Sequence, residues 1–487
     1  MASGTQARRF RLDQSLRTWE VGAFVLAVVL GRYLALGSGQ PGALDWVDLR
    51  YAQNLAAGRG FVFTPGAMWE PSGGATAPGF VGLLGWVAIW FGGCLEAARS
   101  LGVLADGVSA LLIAGLLAHR PWAARAGLMF FALLPLCMGA PAAGNSGPLS
   151  LSLVLAALVS HGAGSMALAG GLAAVATLLR PELALLAPCL AVMSSRGLRS
   201  ALLLLVPSAT ALALFFFGQS WLFGGGSWSA PTARMQLSDA GLIEHWSSLA
   251  RAAMGGLPGL LLAPLALYGL YRCLQIGERM CLSLVLFCIS FVSVGTLTAL
   301  PATDGGLHVL RLCWLLLAGI GIEGTLRERR LERVRLGLAT GVLAVAVVLA
   351  VGGPKLEPSL PKQADLLAWA AEVGLHEHSL FTLDGAALAY LSDGRVIAAQ
   401  GGAWPLYQDH AVREAWLRET QPDYLLLEVA RDGIGWVYGK EQLARAYYPV
   451  RRFSSSGHED RNPDLRHLPL RAPQDLLLFK RHGLAFQ

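Results

Sequence analysis

Asp45 and Asp48 stand three positions apart in the segment Asp45-Trp46-Val47-Asp48-Leu49-Arg50-Tyr51. On a helix that spacing puts both carboxylates on one face, about one turn apart. A carboxylate so placed can take the proton of an attacking hydroxyl, the work of a general base. Trp46, Val47, Leu49, Tyr51 and Leu55 give the same segment an apolar stripe. The stripe predicts an amphipathic helix lying along a membrane face with its acids at the water boundary; a solvated loop is the competing reading. A second charged group, Arg180-Pro181-Glu182, interrupts a long apolar stretch, where charge is costly and needs partners. It reads either as an interfacial turn, with Pro181 at the first helical position and Glu182 at the positive helix end, or as part of a site. In the third group, Asp304 to Arg311, the arginine lies about a turn into an apolar run. There it can snorkel outward or grip a phosphate through its planar fork. The stretch Trp228 to Arg234 adds one further cation, Arg234.

These residues need a scaffold, and the composition says which kind. Of 487 residues 54% are hydrophobic and only 14% charged, more apolar surface than one soluble core can absorb. The chain is therefore expected to span a membrane, which excludes a cytosolic enzyme, a disordered chain and a disulfide-stapled secreted domain. The net charge of +6 comes without a basic stripe interleaved with aromatics, so it reflects cationic loops rather than nucleic-acid binding. All seven cysteines lie in or beside apolar segments, where a thiol is a small hydrophobe. Cys281 and Cys288 have no histidine or carboxylate nearby, so no metal is expected.

Twelve apolar stretches are span candidates: 20–37, 77–95, 101–118, 122–138, 148–160, 165–179, 183–194, 199–217, 255–275, 280–300, 307–322 and 336–352. The arginine clusters at Arg8–Arg11, Arg196–Arg199, Arg272–Arg279 and Arg327–Arg335 should be cytoplasmic. The N-terminal run then reads as an uncleaved first span. An inside N-terminus with an outside C-terminal part requires an odd number of spans. Setting aside the short stretch 183–194 gives eleven, with the loops 38–76 and 218–254 external, His119 and Arg120 also external, and Arg180 toward the cytoplasmic side.

Residues 1–352 thus form the transmembrane domain. From 353 the composition turns polar, and more than half of the 32 acidic residues fall in 353–487. Leu380–Leu383, Arg395–Ala399, Tyr424–Glu428 and Leu476–Phe479 read as strands, and Ala364–Val373 and Ala411–Glu419 as helices, which predicts a small extracytoplasmic α/β domain.

Arg50-Tyr51-Ala52-Gln53-Asn54-Leu55, followed by Gly58, Gly60, Val62, Phe63, Pro65, Gly66 and Glu70, resembles the first external loop of GT-C-type membrane glycosyltransferases, in the branch near the mycobacterial arabinofuranosyltransferases. Arg180-Pro181-Glu182 is similar to that branch's RPEG signature, with Leu183 in place of glycine, and Ala230 to Gln236 is similar to its PNTxxAK loop. Asp384 to Tyr390, Arg395 to Ile397, Gly401 and Gln421 to Tyr424 resemble its periplasmic segment.

The resemblance implies a polytopic GT-C-like protein of the plasma (inner) membrane that transfers a sugar, with inversion, from a polyprenyl-phosphate donor to a glycan, lipid or protein acceptor. It implies an acidic base in the first loop, and membrane lipids but no nucleic acid, metal or cofactor as partners. The pattern departs from the family where Ala43 and Leu44 occupy its Asp-Asp positions and Ser146 stands at a further acid position. The base is therefore expected at Asp45, with Asp48 beside it. Arg50, Glu70, Arg180, Glu182, Arg234, His308 and Arg311 are expected to bind donor or substrate, Arg311 rather than Arg180 holding the phosphate. Asp384 is expected to cap a helix, and the C-terminal domain to position the acceptor and cover the external cavity. A catalytically degenerate relative that binds lipid-linked sugar is the alternative, and a translocase a more distant one.

Overall fold

The computed structural model describes residues 16–36, 41, 43–63, 77–133, 141–194, 197–222, 262–276, 282–283, 285–290, 304–327, 360–375, 377–382, 386–392, 395–398, 410–428, 445–453, 459–461 and 476–482. Its helices are α1 (Thr18–Ala35), α2 (Ala43–Ala56), α3 (Pro78–Phe91), α4 (Cys94–Leu116), α5 (Pro121–Leu133), α6 (Gly147–Gly162), α7 (Met166–Leu179), α8 (Leu186–Met193, entered through the 3-10 turn Pro181–Leu185), α9 (Leu198–Leu222), α10 (Ala263–Ile276) and α11 (Asp304–Arg327). Four of them, α1, α4, α9 and α11, contain stretches long and apolar enough to cross a bilayer.

Small residues set the packing of this bundle, because lipid tails give apolar helices no hydrophobic reason to associate and close backbone contact must do it. Gly170 of α7 faces the Leu203 carbonyl of α9 so closely that a methyl group would collide with it. Gly269 and Gly321 do the same between α10 and α11. Gly170 and Leu203 both lie near the start of their helices, so α7 and α9 run in the same direction. The chain between them, the 3-10 turn and α8, must therefore return through the bundle. The stretch 183–194, expected not to cross, folds as the end of this 3-10 turn and the short apolar helix α8.

A correction concerns 77–95, expected as one span. Val28, Ala110, Ile113, Leu155, Ala173, Leu190, Leu315 and their neighbours form the apolar core of the bundle. A second core joins Trp46, Val47, Leu49, Phe63, Phe80, Val81, Leu84, Ala88, Cys94, Ala97 and Leu179 to Leu366, Trp369, Leu388 and Leu426 of the C-terminal domain. The buried face of α3 belongs wholly to this second core. Thus α2 and α3 form a layer between bundle and C-terminal domain, and α4 is the helix that descends from it. The expected span 77–95 is two elements with a turn at Gly92, whose φ of 75° suits glycine. On its exposed side α3 shows Trp86 and Trp90, 64% and 77% exposed, residues favoured at headgroup level.

Both α3 and the stretch of the 3-10 turn with α8 are apolar helices shorter than the four that are long enough to cross. His119 and Arg120, expected on the side of the C-terminal domain, lie at the opposite end of α4. Leu179 lies in the second core, which moves the neighbouring Arg180 to the end of the bundle that carries the C-terminal domain. The total number of spans depends also on 223–261 and 328–359, outside the described residues.

The C-terminal domain is the expected α/β unit. Its elements are α12 (Leu360–Val373), β1 (Ser379–Thr382), α13 (Ala386–Ser392), β2 (Arg395–Ala398), α14 (His410–Thr420), β3 (Tyr424–Glu428), β4 (Tyr447–Phe453), β5 (Glu459–Arg461) and β6 (Leu476–Arg481). The sheet order is β2-β1-β3-β6-β4-β5. Strands β1, β2 and β3 are parallel, and β6 and β4 add antiparallel. Alternation along the strands sends Tyr424 toward Trp369 of α12 and Phe381 toward Trp416 of α14, with ring centroids 5.4 and 5.3 Å apart. Helices therefore cover both faces. The four strands read from the sequence are present; β4 and β5, whose polar and proline-bearing sequences carry no clear alternation, are additional.

Candidate functional site

Helix α2 is buried rather than laid on a surface: Trp46, Val47, Asp48, Leu49, Arg50, Tyr51, Ala52 and Asn54 are all shielded from solvent. Its C-terminal half is tied to the chain that follows. Arg50 donates from Nε to the Phe63 carbonyl at 3.2 Å and from Nη1 to Gln53 Oε1 at 2.8 Å. Asn54 Nδ2 donates to the carbonyls of Val62 and Phe63 at 2.7 and 2.8 Å. Tyr51 packs its ring against Phe61 and Phe63, with centroids 5.1 and 5.8 Å away. The reversal that brings 61–63 back onto the helix needs positive φ, supplied by Gly58 at 71° and Gly60 at 90°. The spacing of arginine, asparagine, glycines and aromatics thus encodes one folded hook, and Arg50 holds that hook.

The two acids differ in setting. Asp45 lies in the first turn of α2 and is partly exposed. Asp48 is 5% exposed. The Ala77 backbone N–H, at the start of α3, points to Asp48 Oδ1 at 3.5 Å. A carboxylate there meets the positive end of the α3 dipole. Of the two, Asp45 is the more exposed.

Above α2 lies the C-terminal domain. Tyr390 of α13 places its ring 5.2 Å from that of Trp46, and its Oη accepts a hydrogen bond from the Leu95 N–H at 3.1 Å. Burial pushes the Tyr390 phenol up to about 12, so it stays neutral at any working pH.

Arg180 caps α7 in the extended conformation imposed by the proline that follows. It is 2% exposed, and its Nε donates to Glu182 Oε1 at 2.8 Å. Arg311 is partly exposed on α11. His308, one turn earlier, turns inward: it is 1% exposed, with Nε2 3.5 Å from Asp106 Oδ1. The other Asp106 oxygen accepts from Arg32 Nε at 2.7 Å, and Arg32 Nη2 donates to the Phe131 carbonyl at 2.6 Å. Sequence reasoning passed over Arg32 and Asp106, although each is a charge inside a span candidate, the signal that marks a special position in a membrane. Near the expected second acid position, Asn145 and Ser146 are buried, and Arg99 Nε donates to the Ala142 carbonyl at 2.9 Å. Glu70, Arg234 and Asp384 lie outside the described residues. Among the described residues no group of three histidines, cysteines or carboxylates could hold a metal ion.

A helical membrane bundle, a layer of short helices carrying acids, and an α/β domain closing over that layer define the GT-C architecture of multi-pass membrane proteins. Solved structures share it along nearly the whole chain. ArnT from Cupriavidus metallidurans in the apo state is similar at a TM-score of 0.60 and 14% identity, over 95% of this chain and 98% of that one. The same protein bound to undecaprenyl phosphate gives 0.59 and 13%, over 97% and 100%. The Archaeoglobus fulgidus oligosaccharyltransferase, complexed with zinc and sulfate, gives 0.54 and 15%, over 93% and 74%. No family model matches the chain, and no curated protein matches it in sequence.

Proposed function

We propose that the chain transfers a sugar, with inversion, from a polyprenyl-phosphate donor to a glycan, lipid or protein acceptor at the external face of the plasma membrane. The observation that carries this reading is the partly exposed Asp45 on a buried helix, at the end of the bundle that also holds Arg180 and lies under the α/β domain. The ArnT structure bound to undecaprenyl phosphate supports a donor of that chemistry. In this reading the C-terminal domain is extracytoplasmic and the N-terminus cytoplasmic.

Asp45 takes the proton of the acceptor hydroxyl as its oxygen attacks the anomeric carbon from the face opposite the phosphate. The bond between that carbon and the phosphate oxygen breaks, and polyprenyl phosphate departs with the electron pair. Arg311 is the cation proposed to offset the growing charge on the phosphate, where a fixed cation stabilises the transition state more than the ground state; its neighbour His308 meets Asp106 well along α4, so the phosphate would have to sit deeper in the bundle than Asp45. Arg180, with Glu182, is a structural pair holding the adjoining turn.

A second reading, a degenerate relative that binds lipid-linked sugar without turning it over, is favoured by Ala43, Leu44 and Ser146 at the positions where the related family carries acids. Purified protein supplied with radiolabelled polyprenyl-phosphate sugars and candidate acceptors separates the two. Release of polyprenyl phosphate with labelled product supports transfer; saturable binding without product supports the second reading.

A further inference from the structure

We propose that Tyr390 is a positioning residue for the acid-bearing helix α2, so that the C-terminal domain sets where Asp45 stands instead of serving only as a dock for the acceptor. This rests on the proposed transfer reaction. The C-terminal half of α2 is tied by Arg50 and Asn54 to the carbonyls of Val62 and Phe63. Those ties do not reach its first turns, where the acids are. There Trp46 lies between Asp45 and Asp48 in sequence and packs on Tyr390.

Tyr390 joins three elements at once. Its ring meets Trp46 of α2, and its Oη accepts from Leu95 in the first turn of α4. Gly93, which opens α4, makes no side-chain cap, and the phenol accepts the Leu95 N–H, one of the first-turn donors that have no partner within the helix. Tyr390 itself is anchored by the neighbouring Leu388 and Ala389, 4% and 0% exposed in the core shared with α2 and α3. A change in the seating of α13 is thus passed through one ring to the turn that carries Asp45. Misplacement of a catalytic group by about 1 Å costs on the order of a hundredfold in rate.

The test compares full-length wild type with Tyr390→Phe, which keeps the ring, and Tyr390→Ala, which removes it. With donor and acceptor saturating, Tyr390→Ala should lower kcat about tenfold or more while donor affinity and acceptor KM stay near wild type. Tyr390→Phe should recover most of that loss. Hydrogen exchange should rise in the peptide covering 43–56 for Tyr390→Ala, and in Tyr390→Phe only in the peptide covering 94–99. A raised acceptor KM with unchanged kcat would make the domain a dock and overturn the proposal. So would unchanged exchange across 43–56, whatever the activity. If Tyr390→Ala does not fold, Tyr390→Leu takes its place. If wild type itself transfers no sugar, the proposed reaction fails, and exchange across 43–56 alone decides whether Tyr390 holds the helix.

Discussion

Arg32 and Asp106 meet inside the bundle with both side chains fully buried, the guanidinium Nε 2.7 Å from a carboxylate oxygen. The pair joins α1 to α4, and the Phe131 and Ala132 carbonyls on α5 accept from Nη2 and Nη1 at 2.6 and 3.3 Å. Removing one partner strands the other charge where neither water nor a counterion can reach it. Asp106→Ala should therefore cost about 3–5 kcal/mol, whereas the double variant Arg32→Leu with Asp106→Leu should lose much less. Thermal unfolding of the purified protein in detergent measures both. Equal losses would show that the pair matters through its shape alone.

The arrangement of the second core fixes which residues share a side. Residue 182 should react with a membrane-impermeant thiol reagent from the same side as residue 377 of the C-terminal domain, and residue 119 from the opposite side. Single Glu182→Cys, Glu377→Cys and His119→Cys variants in intact cells and inverted vesicles check this. Labelling of 182 and 119 from one side would contradict the placement of Arg180 at the end of the bundle that carries the C-terminal domain.

Asp45→Asn should lower turnover by about 10²- to 10⁴-fold, the usual range for a general base, with donor binding retained. Asp48→Asn should act more through the seating of α3, since its carboxylate faces the Ala77 N–H. It should therefore lower thermal stability as well as rate. Near wild-type turnover in both variants would remove α2 from the chemistry.

Arg311→Ala should weaken binding of a polyprenyl phosphate more than Arg311→Lys, which keeps the charge but loses the fork. Arg180→Ala should instead lower stability, because Glu182 loses its partner at 2.8 Å. Binding to the purified variants, read beside their unfolding temperatures, separates the two roles. Unchanged affinity in Arg311→Ala would transfer the phosphate to another cation.

Composition and period were enough to place a membrane bundle, an α/β domain with its four apolar strands, and a folded acid-bearing segment after the first span. Other features were illegible for definite reasons. The span candidate 77–95 reads as one run because Gly92 and Gly93 do not interrupt its hydropathy, and only the contacts of Phe80 to Ala88 reveal a separate helix. The short stretch 183–194 carries no sequence sign of the 3-10 turn through which α8 is entered, beyond the proline that opens it. Trp46 was read as a membrane-facing residue because an aromatic stripe looks the same to lipid as to a protein domain; Tyr390, more than three hundred residues later, decides the matter. His308 was read with Arg311 by proximity in sequence, but the inward turn of its ring follows from Asp106, on a helix two hundred residues away.

The shared core also imposes an order on biogenesis. Residues 43–91 leave the ribosome long before 360–482, so the apolar faces of α2 and α3, with Trp46, Phe80, Val81 and Leu84 among them, wait without their final cover while the rest of the chain is inserted. During that interval the acid-bearing helix lacks its permanent seat, and the nascent protein presents an apolar patch of the kind that chaperones and proteases recognise. Completion of the last domain is then the event that hides this patch and seats α2, so that a chain whose translation is cut short keeps exposed the very surface that the finished protein uses to join its two parts.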